Sequence, residues 1–106
     1  MKREFNTLAY LPLLLLAVAV PLALDMVEPN GLYGFRTAAS QASDANWYSA
    51  NRATGRALAI LSVVALVLNL TVGRRLQQPL ARTMFFVATI LVCALGSTVA
   101  GFMALP

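Results

Sequence analysis

An all-α integral membrane protein is predicted: three transmembrane helices, with an ordered outer segment between the first and second. Three observations predict it. Of 106 residues, 59% are hydrophobic and only 11% are charged, under half the charged share of an ordinary soluble domain, so a chain this small cannot coat its own surface. Three long uncharged runs, 5–24, 57–73 and 83–106, would each approach or exceed the roughly 30 Å of hydrocarbon core at about 1.5 Å per residue. Finally, lipid offers no partner to a bare backbone group and three strands cannot close a barrel, which leaves helices.

The first span is expected at about 5–24. Lys2 and Arg3 before it imitate a secretory signal, but Glu4 sits beside them and nothing like Ala-x-Ala precedes a plausible mature start, so the helix reads as uncleaved. Pro12 lies near its start and costs little; Pro21 kinks it or marks its exit. The outer motif segment covers 25–43. Its Glu28-Pro29-Asn30-Gly31 has the chemistry of a tight turn, and Gly34 marks a bend that a side chain would forbid, with Arg36 beside it.

One helix is read from about 44 to 73, its first turns standing at the outer headgroup layer. Ser43 is a good N-cap and Asp44 suits the positive end of the helix dipole. At 100° per residue, Trp47, Asn51, Leu58, Ser62, Ala65 and Asn69 fall on one stripe, with Gly55 just beside it. Apart from Trp47 and Leu58 the stripe is small or polar, which suits close helix packing in lipid. An inner turn at 74–82 follows, bracketed by Gly73 and Pro79, a helix-ending and a helix-starting residue. The third span is placed at about 83–105, with a small seam of Thr89, Cys93, Gly96, Ser97, Ala100 and Gly101. The seams either meet within one chain or build a homo-oligomer; both stay open. No repeat or linker divides the chain, so 1–106 is one membrane domain.

Charge gives the orientation. Lys2 and Arg3 precede the first span, and Arg74, Arg75 and Arg82 lie in the inner turn with no acid. The segment 25–56 balances Arg36, Arg52 and Arg56 against Asp25, Glu28 and Asp44, and the C-terminal end carries no charge. The positive-inside rule puts the N-terminus inside and the C-terminus outside. The net charge of +4 comes from scattered cations, so no nucleic-acid partner is expected. There is no His and one Cys. No disulfide, metal site or cofactor is expected, the four carboxylates lie outside the spans, and the chain is not read as an enzyme.

The order Asn30, Tyr33-Gly34-Phe35-Arg36-Thr37, Ser43-Asp44, Trp47, Asn51-Arg52 and Gly55 resembles the SdpI-type immunity protein family over about residues 26–60. That family's pattern runs Asn, Gly-hydrophobic-Arg-Thr, Ser, Trp, His or Asn followed by Arg, then Gly. Ala38 stands where the family often has Pro, which would loosen that turn. The resemblance implies a multi-spanning protein of the bacterial cytoplasmic membrane. It also implies immunity to a secreted antimicrobial peptide toxin, with repressor capture in one system. The chain matches the family's C-terminal module standing alone, without further N-terminal spans.

Each candidate residue carries a functional and a structural reading. Arg36 either binds an anionic group or pins the segment by an ion pair to Asp25, Glu28 or Asp44. Trp47 packs on a ligand or anchors at the interface with Tyr33, Phe35 and Tyr48. Asn51 holds a ligand or bonds between helices, and Arg52 and Arg56 read as headgroup contacts. Asn69 is read as helix glue near the inner side. Membrane lipid and a peptide toxin are the expected partners. The rival readings are an oligomeric transporter or channel subunit, its route lined by the Trp47–Asn69 stripe, and an accessory subunit of a larger complex.

Overall fold

The computed structural model describes residues 7–106, and these are helical wherever they are regular. Lys2, Arg3, Glu4 and the first two residues of the expected first span lie outside the described residues. Helix α1 spans Leu11–Ala23 after a 3-10 turn at Thr7–Tyr10; α2 spans Asp44–Leu68 and winds on as a π-turn over Asn69–Gly73; α3 spans Pro79–Met103. The described chain forms a rod of 55 × 20 × 19 Å.

The described part of the first helix, a 3-10 turn running into α1, ends at Ala23, one residue before the expected limit. Pro12 sits in its first turn, where its missing N–H would be unpaired anyway. Pro21 lies inside it, two residues from the end, and cannot donate to the carbonyl four residues back. The helix then closes with a left-handed residue, Asp25 at φ +57°. Met26 N–H donates to the Pro21 carbonyl at 2.9 Å and Asp25 N–H to Leu22 at 3.3 Å, the paired bonds of a helix-ending motif that usually uses Gly. Two helices, Asp44–Gly73 and Pro79–Met103, are long and apolar enough to cross a membrane; Thr7–Ala23 is a shorter apolar helix.

The start of α2 follows the sequence reading: Ser43 Oγ accepts from Asn46 N–H at 3.1 Å, with Asp44 in the first turn. The inner turn is shorter than the 74–82 expected. Pro79, with its φ already helical, starts α3, and Arg82 N–H makes an early bond to Gln78 at 3.0 Å. The charge on Arg82 therefore belongs to the helix. The far end of α3 stops at Met103 rather than 105.

Helix α2 is the spine. α1 and α3 each run antiparallel along it and scarcely touch one another, except where the Thr7–Tyr10 turn reaches α3. The stripe faces inward: Trp47, Asn51, Leu58, Ser62, Ala65 and Asn69 are all buried, as is Gly55. The α3 seam meets it, with Cys93, Ser97 and Gly101 buried. Both seams thus pack within one chain. Ala19, Leu58, Ala65 and Cys93 form the core, with Leu15 and Leu61 against it. Gly55 lets the α1 backbone come close: a Cβ there would stand 2.4 Å from Ala23 N and 2.8 Å from the Ala19 carbonyl. At the opposite end, Asn69 Nδ2 donates to the Ala9 carbonyl at 3.1 Å, and Thr89 Oγ1 donates to Asn69 Oδ1 at 3.0 Å. One buried amide therefore ties all three helices. The outward faces are apolar: Ile60, Leu95 and Leu80 are 65%, 67% and 71% exposed. Continuous apolar rows of this kind are a surface suited to a bilayer.

Candidate functional site

Residues 24–43 leave α1, fold over the ends of the helices and return to α2 as a cap. Asn30 organises its first half. Its Oδ1 accepts from Leu32 N–H (2.8 Å) and Tyr33 N–H (2.7 Å), while Nδ2 donates to the Glu28 and Tyr33 carbonyls at 2.7 and 3.1 Å. A side-chain amide mimicking a turn's own backbone is what Asn does well. The Tyr33 hydroxyl then donates to the Val18 carbonyl on α1. Partial burial pushes that phenol above its ordinary pKa, which keeps it a donor.

Gly34 turns the chain inward at φ +118°, where a Cβ would stand 2.6 Å from Asn51 Oδ1 and 3.2 Å from the Trp47 ring. Only Gly fits there. The turn delivers the Phe35 peptide to Asn51, whose Oδ1 accepts from Phe35 N–H at 2.5 Å and whose Nδ2 donates to the Phe35 carbonyl at 3.2 Å and the Trp47 carbonyl at 2.9 Å. A buried side chain thus pairs with backbone as a neighbouring strand would. The Phe35 ring meets Phe102 of α3 edge-on, centroids 5.0 Å apart. Trp47 is fully buried and its indole N–H donates to the Val27 carbonyl at 2.9 Å.

The second half closes on itself. Thr37 N–H donates to Ser40 Oγ at 2.7 Å and Ser40 N–H donates to Thr37 Oγ1 at 3.0 Å. This reciprocal pair three residues apart has the logic of a capping box. It keeps the turn around Ala38 shut. Asn46 Nδ2 adds a bond to the Ala39 carbonyl at 3.0 Å.

The ion pair that is one of the two readings of Arg36 is formed by Arg52 instead. Arg36 makes no ion pair among the described residues; its Nε donates to the Asn30 carbonyl at 3.1 Å and the side chain is otherwise exposed. The ion pair belongs to Arg52, read as a headgroup contact. Its Nε and Nη2 both reach Asp25, the latter at 2.8 Å from Oδ2. Hydrogen bonding from Arg52, with its charge, holds the Asp25 carboxyl below the usual carboxylate range. The left-handed Asp25 backbone aims the carboxylate at α2, so one residue both ends α1 and fastens it.

Asn30, Gly34, Phe35, Thr37, Trp47 and Asn51 therefore gather in one cap. Arg36 stands on its rim, and Arg52 and Gly55 join α2 to the end of α1. A family model described as the SdpI/YfhL protein family matches residues 26–102, most of the chain. The chain belongs to that family. Comparison with curated proteins and with solved structures gives no match. The family match begins where the cap begins and runs through α2 and almost all of α3, so the shared unit is the cap with the two long helices. Sequence reasoning missed the Ser40 closure, although Thr37 and Ser40 carry the three-residue spacing. It also missed Asn46 and the Asp25–Arg52 pair, which no local pattern announces.

Proposed function

We propose that this SdpI-family chain is a multi-pass protein of the bacterial cytoplasmic membrane that gives resistance to a secreted antimicrobial peptide. The short first helix spans with the two long ones, since Thr7–Ala23 extends about 27 Å by its 3-10 and α rises. The cap faces outward, because Arg74, Arg75 and Arg82 lie at the opposite end of the rod. Recognition is non-covalent. The observation that carries this reading is Arg36. Its guanidinium is anchored by one N–H to the cap backbone and has no carboxylate among the described residues. A preorganised cation with free donors at a membrane surface suits an anionic group on the peptide, or on the envelope component that it attacks.

A deletion strain should become sensitive to the peptide secreted by its siblings, and the wild-type gene should restore resistance. Arg36→Ala should fail to restore it at unchanged membrane abundance. Full protection by Arg36→Ala would remove the proposal's central residue; full resistance of the deletion strain would remove the proposal. A transport route between protomers gains no support from the Trp47–Asn69 stripe, which faces α1 and α3 of its own chain.

A further inference from the structure

A second site lies at the end of the rod away from the cap. A groove of about 170 Å³ runs between α2 and α3, lined by Leu61, Val64 and Leu68 on one side and Phe85, Ala88 and Val92 on the other. From Leu61 to Leu68 it follows about 10 Å of helix. Its surface is apolar, because the Thr89 hydroxyl at its wall is spent on Asn69 and the Phe86 carbonyl. Phe85 closes the end away from the cap. A Cβ on Gly73 would stand 3.1 Å from the Phe85 ring, so the chain passes directly from that closed end into Arg74 and Arg75, both exposed. Arg82 lies one turn before Phe85 on α3 and its Nη1 donates to the Leu76 carbonyl of the same linker at 3.4 Å. No Asp or Glu follows Asp44 in the sequence, so nothing on α3 or the linker neutralises the three guanidinium groups.

We propose that this groove and its three arginines bind an anionic phospholipid of the cytoplasmic leaflet, an acyl chain in the groove and the phosphate at Arg74, Arg75 and Arg82. The two halves make different demands. The groove takes any acyl chain, but the three cations, with no carboxylate partner among the described residues, favour a headgroup with net negative charge, by about fivefold for each arginine. Inorganic phosphate meets the charges and leaves the groove empty. Only a lipid that is both acylated and anionic satisfies both. The site shares the orientation of the proposed function and nothing else with it, since Arg36 lies at the opposite end.

Native mass spectrometry of the full chain in detergent, with phosphatidylglycerol, phosphatidylcholine or inorganic phosphate added, tests this. Phosphatidylglycerol should stay bound under activation that strips phosphatidylcholine, and phosphate should give no lasting adduct. Ala88→Phe, which fills the groove from an exposed position, should lower phosphatidylglycerol retention at least tenfold. R74Q/R75Q/R82Q, which leaves the apolar packing untouched, should reduce retention to that of phosphatidylcholine. Equal retention of the two lipids, retention of phosphate alone, or unchanged phosphatidylglycerol binding in a helical Ala88→Phe protein would overturn the proposal. None of those results bears on Arg36→Ala protection, so this site and the resistance reading fail separately.

Discussion

Asn51→Ala should release the cap while leaving the helices folded. Asn51 is 2% exposed and its side chain serves three backbone groups. Two survive its loss: the Trp47 carbonyl keeps its helical partner, and the Phe35 carbonyl still accepts from Ser40 Oγ at 3.0 Å. The Phe35 N–H has no other acceptor among the described hydrogen bonds. An orphaned donor of this kind costs about 1–3 kcal/mol, and the vacated volume adds about 1 kcal/mol. The cap should therefore open more easily by about 2–4 kcal/mol, a rise of about 30- to 700-fold in amide exchange at 1.4 kcal/mol per decade. Hydrogen exchange followed by mass spectrometry in nanodiscs would read this in peptides covering 28–43, against peptides from α2 below Gly55 and from α3. Unchanged exchange in 28–43 would show that the Asn51–Phe35 pairing does not hold the cap. A uniform rise through both long helices would show that cap and helices open as one unit.

Gly55→Ala should lower the melting temperature of the detergent-solubilised protein sharply, since separating α1 from α2 costs about 1–3 kcal/mol; Gly31→Ala, with nothing within 4 Å of the added carbon, should be neutral within about 0.5 kcal/mol by circular dichroism. The Asp25–Arg52 clasp should be acid-sensitive. Because the folded Asp25 carboxyl titrates below its ordinary value of 3.8, its contribution is present above that value and is lost as pH falls through the lowered one; Asp25→Asn should abolish this component of the acid melting curve. Asn69→Ala should cost roughly 0.6–2 kcal/mol, the range of interhelical hydrogen bonds in membranes, and raise exchange at both Ala9 and Thr89; an effect at one helix alone would deny that the amide bridges them.

The best-predicted element is α2. Ser43, Asp44 and Gly73 mark its limits, and the small or polar stripe from Trp47 to Asn69 stands out as a packing face in an otherwise apolar helix. Local chemistry also carried the Asn30 turn and the Gly34 bend. The rest depended on geometry between distant segments. Arg36 and Arg52 have the same charge, and the left-handed Asp25 backbone presents its carboxylate to Arg52. The boundary of α3 slipped because a charge was treated as the end of a span, whereas Pro79 sets the start of the helix itself. The π-turn at Asn69–Gly73 has no clear mark in composition; it widens the helix where Asn69 must reach both neighbours.

Helix α2 with its π-turn is 30 residues long, about 45 Å, against a hydrocarbon thickness near 30 Å. The overhang of roughly ten residues is the stretch that grips the cap through Asn46, Trp47 and Asn51. A thicker or stiffer bilayer would therefore swallow part of that pedestal or tilt the rod upright, and a thinner one would leave it proud. In the proposed membrane orientation, the height of Arg36 above the lipid becomes a quantity that the bilayer itself would tune.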